Sequence, residues 1–152
     1  MVTYDDRSPF LFETVQEKAP DIWRILDVSA ANPIYMRQIY DNDMDLSPDF
    51  AMRLMKEMSR CWNPIILDRV KREILSSHKF LVPSKFVATS LKYSGIREIQ
   101  MLYCPYGVDI SQFSQKDYED VENMNDRPLR FIYVGGVKEL KGISYLLEAF
   151  MN

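Results

Sequence analysis

Apolar positions along the chain alternate between short continuous runs and spacings of three and four, the signature of strands interleaved with helices. Val2 to Tyr4 predicts a short strand. Pro9 then opens a helix through Phe10, Leu11, Phe12 and Val15 toward Lys18, with Ser8 placed to cap it. Ala19-Pro20-Asp21 breaks that helix, and Ile22 to Val28 predicts a second strand. Ser29 to Pro33 reads as a loop, with Pro33 opening a helix that carries Ile34, Tyr35, Ile39 and Tyr40. Ser47-Pro48-Asp49 starts the longest helical pattern: Ala51, Leu54, Met55, Met58, Trp62, Ile65, Ile66, Val70 and Ile74. Pro64 lacks an N–H and clashes with the preceding turn, so it is expected to kink or split this run.

The second half repeats the alternation. Phe80-Leu81-Val82 predicts a strand, and Pro83-Ser84 turns the chain into a helix from Lys85 to Tyr93. Ser84 is its expected cap and Gly95 its stop. Ile99 to Tyr103 predicts another strand, which delivers Tyr106-Gly107-Val108-Asp109 at its carboxyl end, where ligands gather in open α/β sheets. Ser114 to Arg127 is polar and acid-rich and reads as a linker. Leu129 to Val134 predicts a buried parallel strand, Gly135-Gly136 ends it, and Ile143, Leu146, Leu147 and Phe150 share one face of a closing helix. The predicted fold class is therefore α/β.

Composition narrows the picture. A chain of 152 residues suffices for one domain with a core and is too short for two complete Rossmann-like domains. Hydrophobic content of 47% with 27% charged residues argues against disorder. The net charge of −3 gives no basic footprint for nucleic acid. No apolar run approaches the ~20 residues of a membrane-spanning helix, and the first residues lack a signal-peptide pattern. Cys61 and Cys104 have no metal-ligand spacing and read as buried thiols in a reducing compartment, so the expected location is cytoplasmic.

Several residues invite chemistry. Asp41, Asp43 and Asp45 alternate as in a metal loop but lack the glycine and closing glutamate of an EF-hand, which favours a solvated turn between helices. Met52, Met55 and Met58 read as core filler. His78, the single histidine, lies at a helix–strand junction with no nucleophile–base–acid set around it. Asp109 either contacts substrate or fixes its loop, and the second is favoured. At the end of the chain, a glycine pair lets a ligand approach the backbone, and Lys141-Gly142 brings a positive charge to a helix start. The competing reading of that turn is an ordinary strand–turn–helix with a solvated lysine. It matches neither the G-x-G-x-x-G nor the P-loop fingerprint.

Taken in order, Pro83-Ser84-Lys85-Phe86, Gly95, Gly107-Val108-Asp109, Phe113, Val134-Gly135 and Lys141-Gly142 resemble the family 4 (group 1) retaining glycosyltransferases. The resemblance covers about the second half of the chain. It implies a Rossmann-like GT-B fragment: the end of the N-terminal domain plus the first strand and helix of the C-terminal domain. Residues 1–109 would belong to the acceptor-side domain, 110–128 to an interdomain linker and 129–152 to the start of the donor-binding domain. Lys141 would contact the diphosphate of a nucleotide-sugar donor, with Gly135 and Gly136 near it. The family often has an arginine where this chain has Gly136, and Lys138 is the substitute cation suggested by proximity. The resemblance assigns no catalytic residue within these 152 residues and calls for no metal or other cofactor.

The implied function is transfer of a hexosyl or similar sugar from a nucleotide-diphosphate-sugar donor to the hydroxyl of a carbohydrate or lipid-linked acceptor. Peripheral membrane association is compatible with such an acceptor. A piece of this length is expected to be inactive alone. The alternatives are a non-catalytic α/β binding module or a gene remnant, and more distantly a dinucleotide oxidoreductase.

Overall fold

The computed structural model describes residues 1–5, 9–114 and 130–151. Four short parallel strands form one sheet in the order β1-β2-β3-β4: β1 is Val2–Tyr4, β2 Ile25–Asp27, β3 Lys79–Val82 and β4 Met101–Tyr103. The connections are α1 (Pro9–Lys18) between β1 and β2, then α2 (Pro33–Leu46), α3 (Pro48–Glu57) and α4 (Pro64–Ser76), and α5 (Lys85–Tyr93) before β4. A last helix, α6 (Ile143–Met151), follows a 3₁₀ turn at Glu139–Lys141. The α/β class and a sheet compatible with a Rossmann-like fold are thus present.

The register explains the core. Leu26 pairs with Phe80 and Phe80 with Met101, so these side chains point to one face of the sheet with Val28 and Val82. Phe12 of α1, Val70 and Ile74 of α4, and Val87, Ala88 and Leu91 of α5 pack on that face. The opposite face carries Val2, Tyr4, Ile25, Leu81 and Leu102, of which Val2, Tyr4 and Leu102 are exposed among the described residues. A second cluster of Tyr40, Leu54 and Cys61, with Met36, Met44, Met58 and Trp62 packed on it, joins α2 to α3.

Local chemistry accounts for the boundaries. The long helical pattern is split, with a 3₁₀ turn at Ser59–Cys61 between α3 and α4. Asn63 restarts the helix by accepting hydrogen bonds from the backbone N–H of Ile65 and Ile66, and Pro64 occupies the first turn, where its missing N–H costs nothing. Ser84 caps α5 by accepting from Val87 N, and Gly95 ends it at φ +86°. The expected cap Ser8 lies outside the described residues, as does most of the expected linker and Leu129.

Four sequence expectations are corrected. Asp41, Asp43 and Asp45 lie inside α2, not in a turn. Asp41 is held by Arg37 one turn earlier and by the Trp62 indole N–H, while Asp43 accepts from Tyr145. Asp41 and Asp45, four positions apart, share a face of the helix and Asp43 between them points to the other side, so the three acids do not converge. Met52 and Met55 are exposed, and only Met58 is core filler, because α3 turns its other face inward at Leu54. Cys61 is buried, but Cys104 is exposed, since it follows an edge strand of which only Met101 is covered. Residues 130–134 form no strand: they pair with no neighbour, and Ile132 and Val134 are exposed. A parallel strand needs ladder partners, and this segment has none among the described residues, although Phe131 meets Phe150 of α6 edge-on at 5.2 Å.

Candidate functional site

The carboxyl ends of β2 and β3 open into a cleft. Ala30, Ala31 and Pro33, in the loop after β2, form one wall, and Phe86 in the first turn of α5 forms another. Met36 and Tyr40 of α2, with Met58 and Cys61, complete an apolar groove of about 240 Å³. Arg60 borders this groove and also a smaller cavity of about 20 Å³ beside it, which Asp5, Asn32 and Glu73 help to line. Glu73 is buried, and Ser29 Oγ donates to Asp5 Oδ1 at 2.9 Å. Sequence reasoning missed this cleft. Its lining comes from four elements, and only the position of the loop after a predicted strand hinted at it.

Burial shapes the groups in this cleft. Desolvation, with a smaller effect from Cys61, pushes the Tyr40 hydroxyl up to about 12, so it stays protonated at any ordinary pH. Desolvation also raises the Cys61 thiol, with Arg60 opposing it, so Cys61 is a poor nucleophile. The entrance of α2 is fixed by Asn32: its Oδ1 accepts from Ile34 N at 2.9 Å, its Nδ2 donates to Ser94 Oγ at 2.8 Å, and its own N–H donates to Ser90 Oγ at 3.0 Å.

The glycine–lysine turn lies elsewhere, against α3. Gly142 adopts φ +68°, a left-handed conformation that favours glycine, between the 3₁₀ turn and α6. Gly135 has φ +150°, and the Tyr133 hydroxyl donates to Gly136 O at 2.7 Å, so the glycine pair makes a local loop beneath a tyrosine ring. Lys138 folds its side chain alongside Gly136 and is exposed. Lys141 is exposed and makes no side-chain hydrogen bond or ion pair among the described residues. A groove of about 200 Å³ between this turn and α2–α3 is lined by Glu139, Leu140, Gly142 and Tyr145, and Lys141 is not part of its wall.

What the turn does hold is a carboxylate. Glu57, the last residue of α3, accepts from Glu139 N at 3.3 Å and from Leu140 N at 3.1 Å. Sequence reasoning missed Glu57, because a contact across 82 positions leaves no periodic or motif signal. Asp109 accepts from Ser111 N at 2.9 Å, which matches the loop-fixing reading; hydrogen bonding from the Ser111 side chain, then from its backbone, holds the Asp109 carboxyl below the usual range.

His78 is structural. Its Nδ1 accepts from Arg24 N at 3.0 Å, while Arg24 Nε donates to Ser76 O at 2.6 Å. Burial, then the Arg24 charge, hold the imidazole below its ordinary value of 6.5. The neutral form is therefore the one that suits the fold. Stability from this group is complete above about pH 6.5 and is lost as pH falls through the lower folded value. Because His78 is the single histidine, one imidazole resonance in an NMR titration reads it directly. The expected midpoint lies below that of a free histidine; a midpoint at or above it removes this account.

No family model, curated protein or solved structure matches the chain.

Proposed function

We propose that the chain is part of a glycosyltransferase that moves a sugar from a nucleotide-diphosphate donor to an acceptor hydroxyl. In that reaction the bond from the sugar carbon to the diphosphate oxygen breaks. The acceptor oxygen bonds to the same carbon, and its proton leaves with the diphosphate. The observation that carries the reading is the pair of backbone N–H groups at Glu139 and Leu140 that already hold an anionic oxygen pair, directly before Lys141-Gly142. Two oriented N–H groups and a nearby ammonium suit a departing diphosphate, on which negative charge accumulates. Lys141 is exposed rather than turned into the adjoining groove, so the anion contact in this structure is made by backbone alone.

The apolar cleft at the carboxyl ends of β2 and β3 is the corresponding acceptor site. Its lining of Met36, Tyr40, Met58 and Phe86 favours an acceptor with an apolar portion over a free sugar. A lipid-linked acceptor would bring the protein to a membrane surface from a reducing, cytoplasmic side. No helix of the described residues is long and apolar enough to cross a membrane.

Calorimetric titration with uridine, guanosine and adenosine diphosphates tests the donor half. One of them is expected to bind, and Lys141→Ala to weaken it by about tenfold, the scale of a lost hydrogen bond to a charged group. Binding that is absent for all three, or indifferent to Lys141→Ala, removes the donor assignment. The exposure of Lys141 favours a second reading, a non-catalytic α/β module that binds an apolar ligand in the cleft alone. That reading expects Phe86→Ala to alter ligand binding and Lys141→Ala to alter nothing.

A further inference from the structure

The contact between α3 and the glycine–lysine turn is built from one helical face. Phe50, Arg53, Leu54 and Glu57 stand at spacings of three and four, so they line the same side of α3. Phe50 meets the Tyr145 ring edge-on at 5.8 Å. Arg53 Nη1 lies 3.5 Å from Glu139 Oε1, which also accepts from Ser144 Oγ at 2.8 Å. Leu54 lines the groove with Leu140 and Tyr145, and Tyr145 in turn donates to Asp43 Oδ1 of α2 at 2.8 Å. Glu57 closes the set on the two backbone N–H groups.

The position of Glu57 is unfavourable for the helix that carries it. A carboxylate at a helix C-terminus faces the negative end of the macrodipole and the unpaired carbonyls there. Glu57 ends α3, so its charge gains little from its own helix and gains from the N–H groups of the distant turn. Its geometry, two oxygens on two consecutive N–H groups, is also that of an oxyanion bound to a backbone nest.

We infer that Glu57 is an internal anion that latches the turn at residues 138–142 onto α3 and keeps external anions off the N–H groups of Glu139 and Leu140. The latch is autoinhibitory, and this role rests on the donor-site reading above. Its hydrogen bonds are exposed, so they open readily, and a more highly charged oxyanion competes with one carboxylate for the same donors. Release of Glu57 exposes the two N–H groups, while Arg53, Phe50 and Asp43 still hold the turn and α6 beside α2 and α3.

Amide hydrogen exchange measured by NMR on the full chain tests the latch without any ligand. Glu57→Ala is expected to speed exchange at Glu139 and Leu140 by about tenfold, the scale of a hydrogen bond to a charged acceptor. Exchange at Phe80 and Val82 in β3 should stay unchanged, which shows that the variant is folded. Glu57→Gln keeps an acceptor without the charge and is expected to fall between. Unchanged exchange at both amides overturns the latch. Titration with inorganic pyrophosphate, followed at the same two amides, tests the exclusion of anions. Glu57→Ala is expected to bind about tenfold tighter than the unaltered chain, and equal affinities overturn the autoinhibitory role. Faster exchange with no pyrophosphate binding to either protein leaves the clamp in place, overturns its autoinhibitory role and removes the donor reading.

Discussion

Phe80→Ala is expected to lower the unfolding free energy by about 3–5 kcal/mol, the range for truncating a buried aromatic ring. The ring is fully buried at the centre of the sheet, between Leu26 of β2 and Met101 of β4 in register. Phe12, Leu91 and Val87 lie in the same cluster from two different helices. No one neighbour can relax into the space without leaving another, so the cavity persists. Domains of this size are stable by about 5–15 kcal/mol, so the variant sits near the threshold of folding. Urea unfolding followed by circular dichroism reads this as a large fall in midpoint. Ile132→Ala is the control, because Ile132 is 88% exposed and its loss should change stability by less than about 0.5 kcal/mol. Equal effects at the two positions would mean that the sheet face carrying Phe80 is not the core.

Asn32→Ala is expected to cost between about 1.5 and 4 kcal/mol, the sum of a lost helix cap and stranded buried polar groups. Asn32 is 3% exposed and joins three elements: the loop after β2, the first turn of α2 and the end of α5. Alanine leaves Ile34 N without its acceptor and Ser94 Oγ without its donor. Asn32→Asp keeps the oxygen that caps α2 and loses the amide donor, while Ser94→Ala removes only the far partner. The expected order of destabilisation is Asn32→Ala above Ser94→Ala. Since Ala31 and Pro33 flank this residue and line the cleft, Asn32→Ala should also widen the groove. Faster labelling of Cys61 by a small thiol reagent would report that opening, and labelling that stays slow would confine Asn32 to stability.

The elements with local signals were legible. Pro9, Pro33 and Pro48 each begin a helix where proline in the first turn predicted one, and Pro64 splits the long run as expected, by opening α4. Ser84 and Gly95 bound α5 as expected, through a side-chain cap and a positive φ. The strand at Ile22–Val28 was found but shortened to Ile25–Asp27, because only those residues meet both β1 and β3. The failures share a cause. A continuous apolar run such as residues 130–134 states a preference for burial, and whether a strand forms depends on a partner that the run does not contain. The three aspartates looked like a turn because acids are common there, yet Tyr40 and Met44 on the inner face kept α2 running through them.

The site divides in the same way. Sequence alone determined the α/β alternation, the helix starts and the glycine that ends α5, since proline, serine, asparagine and glycine act on the backbone within a few residues. It also determined that two lysines and three glycines stand near the end of the sequence, at residues 135–142. Only the tertiary structure decided which face of the sheet is covered, that an apolar cleft opens beside Arg60, and that Glu57 takes the N–H groups of Glu139 and Leu140. Those outcomes depend on contacts between residues as many as 83 positions apart, and a side chain's nearest neighbours in space are set by packing rather than by its order in the chain.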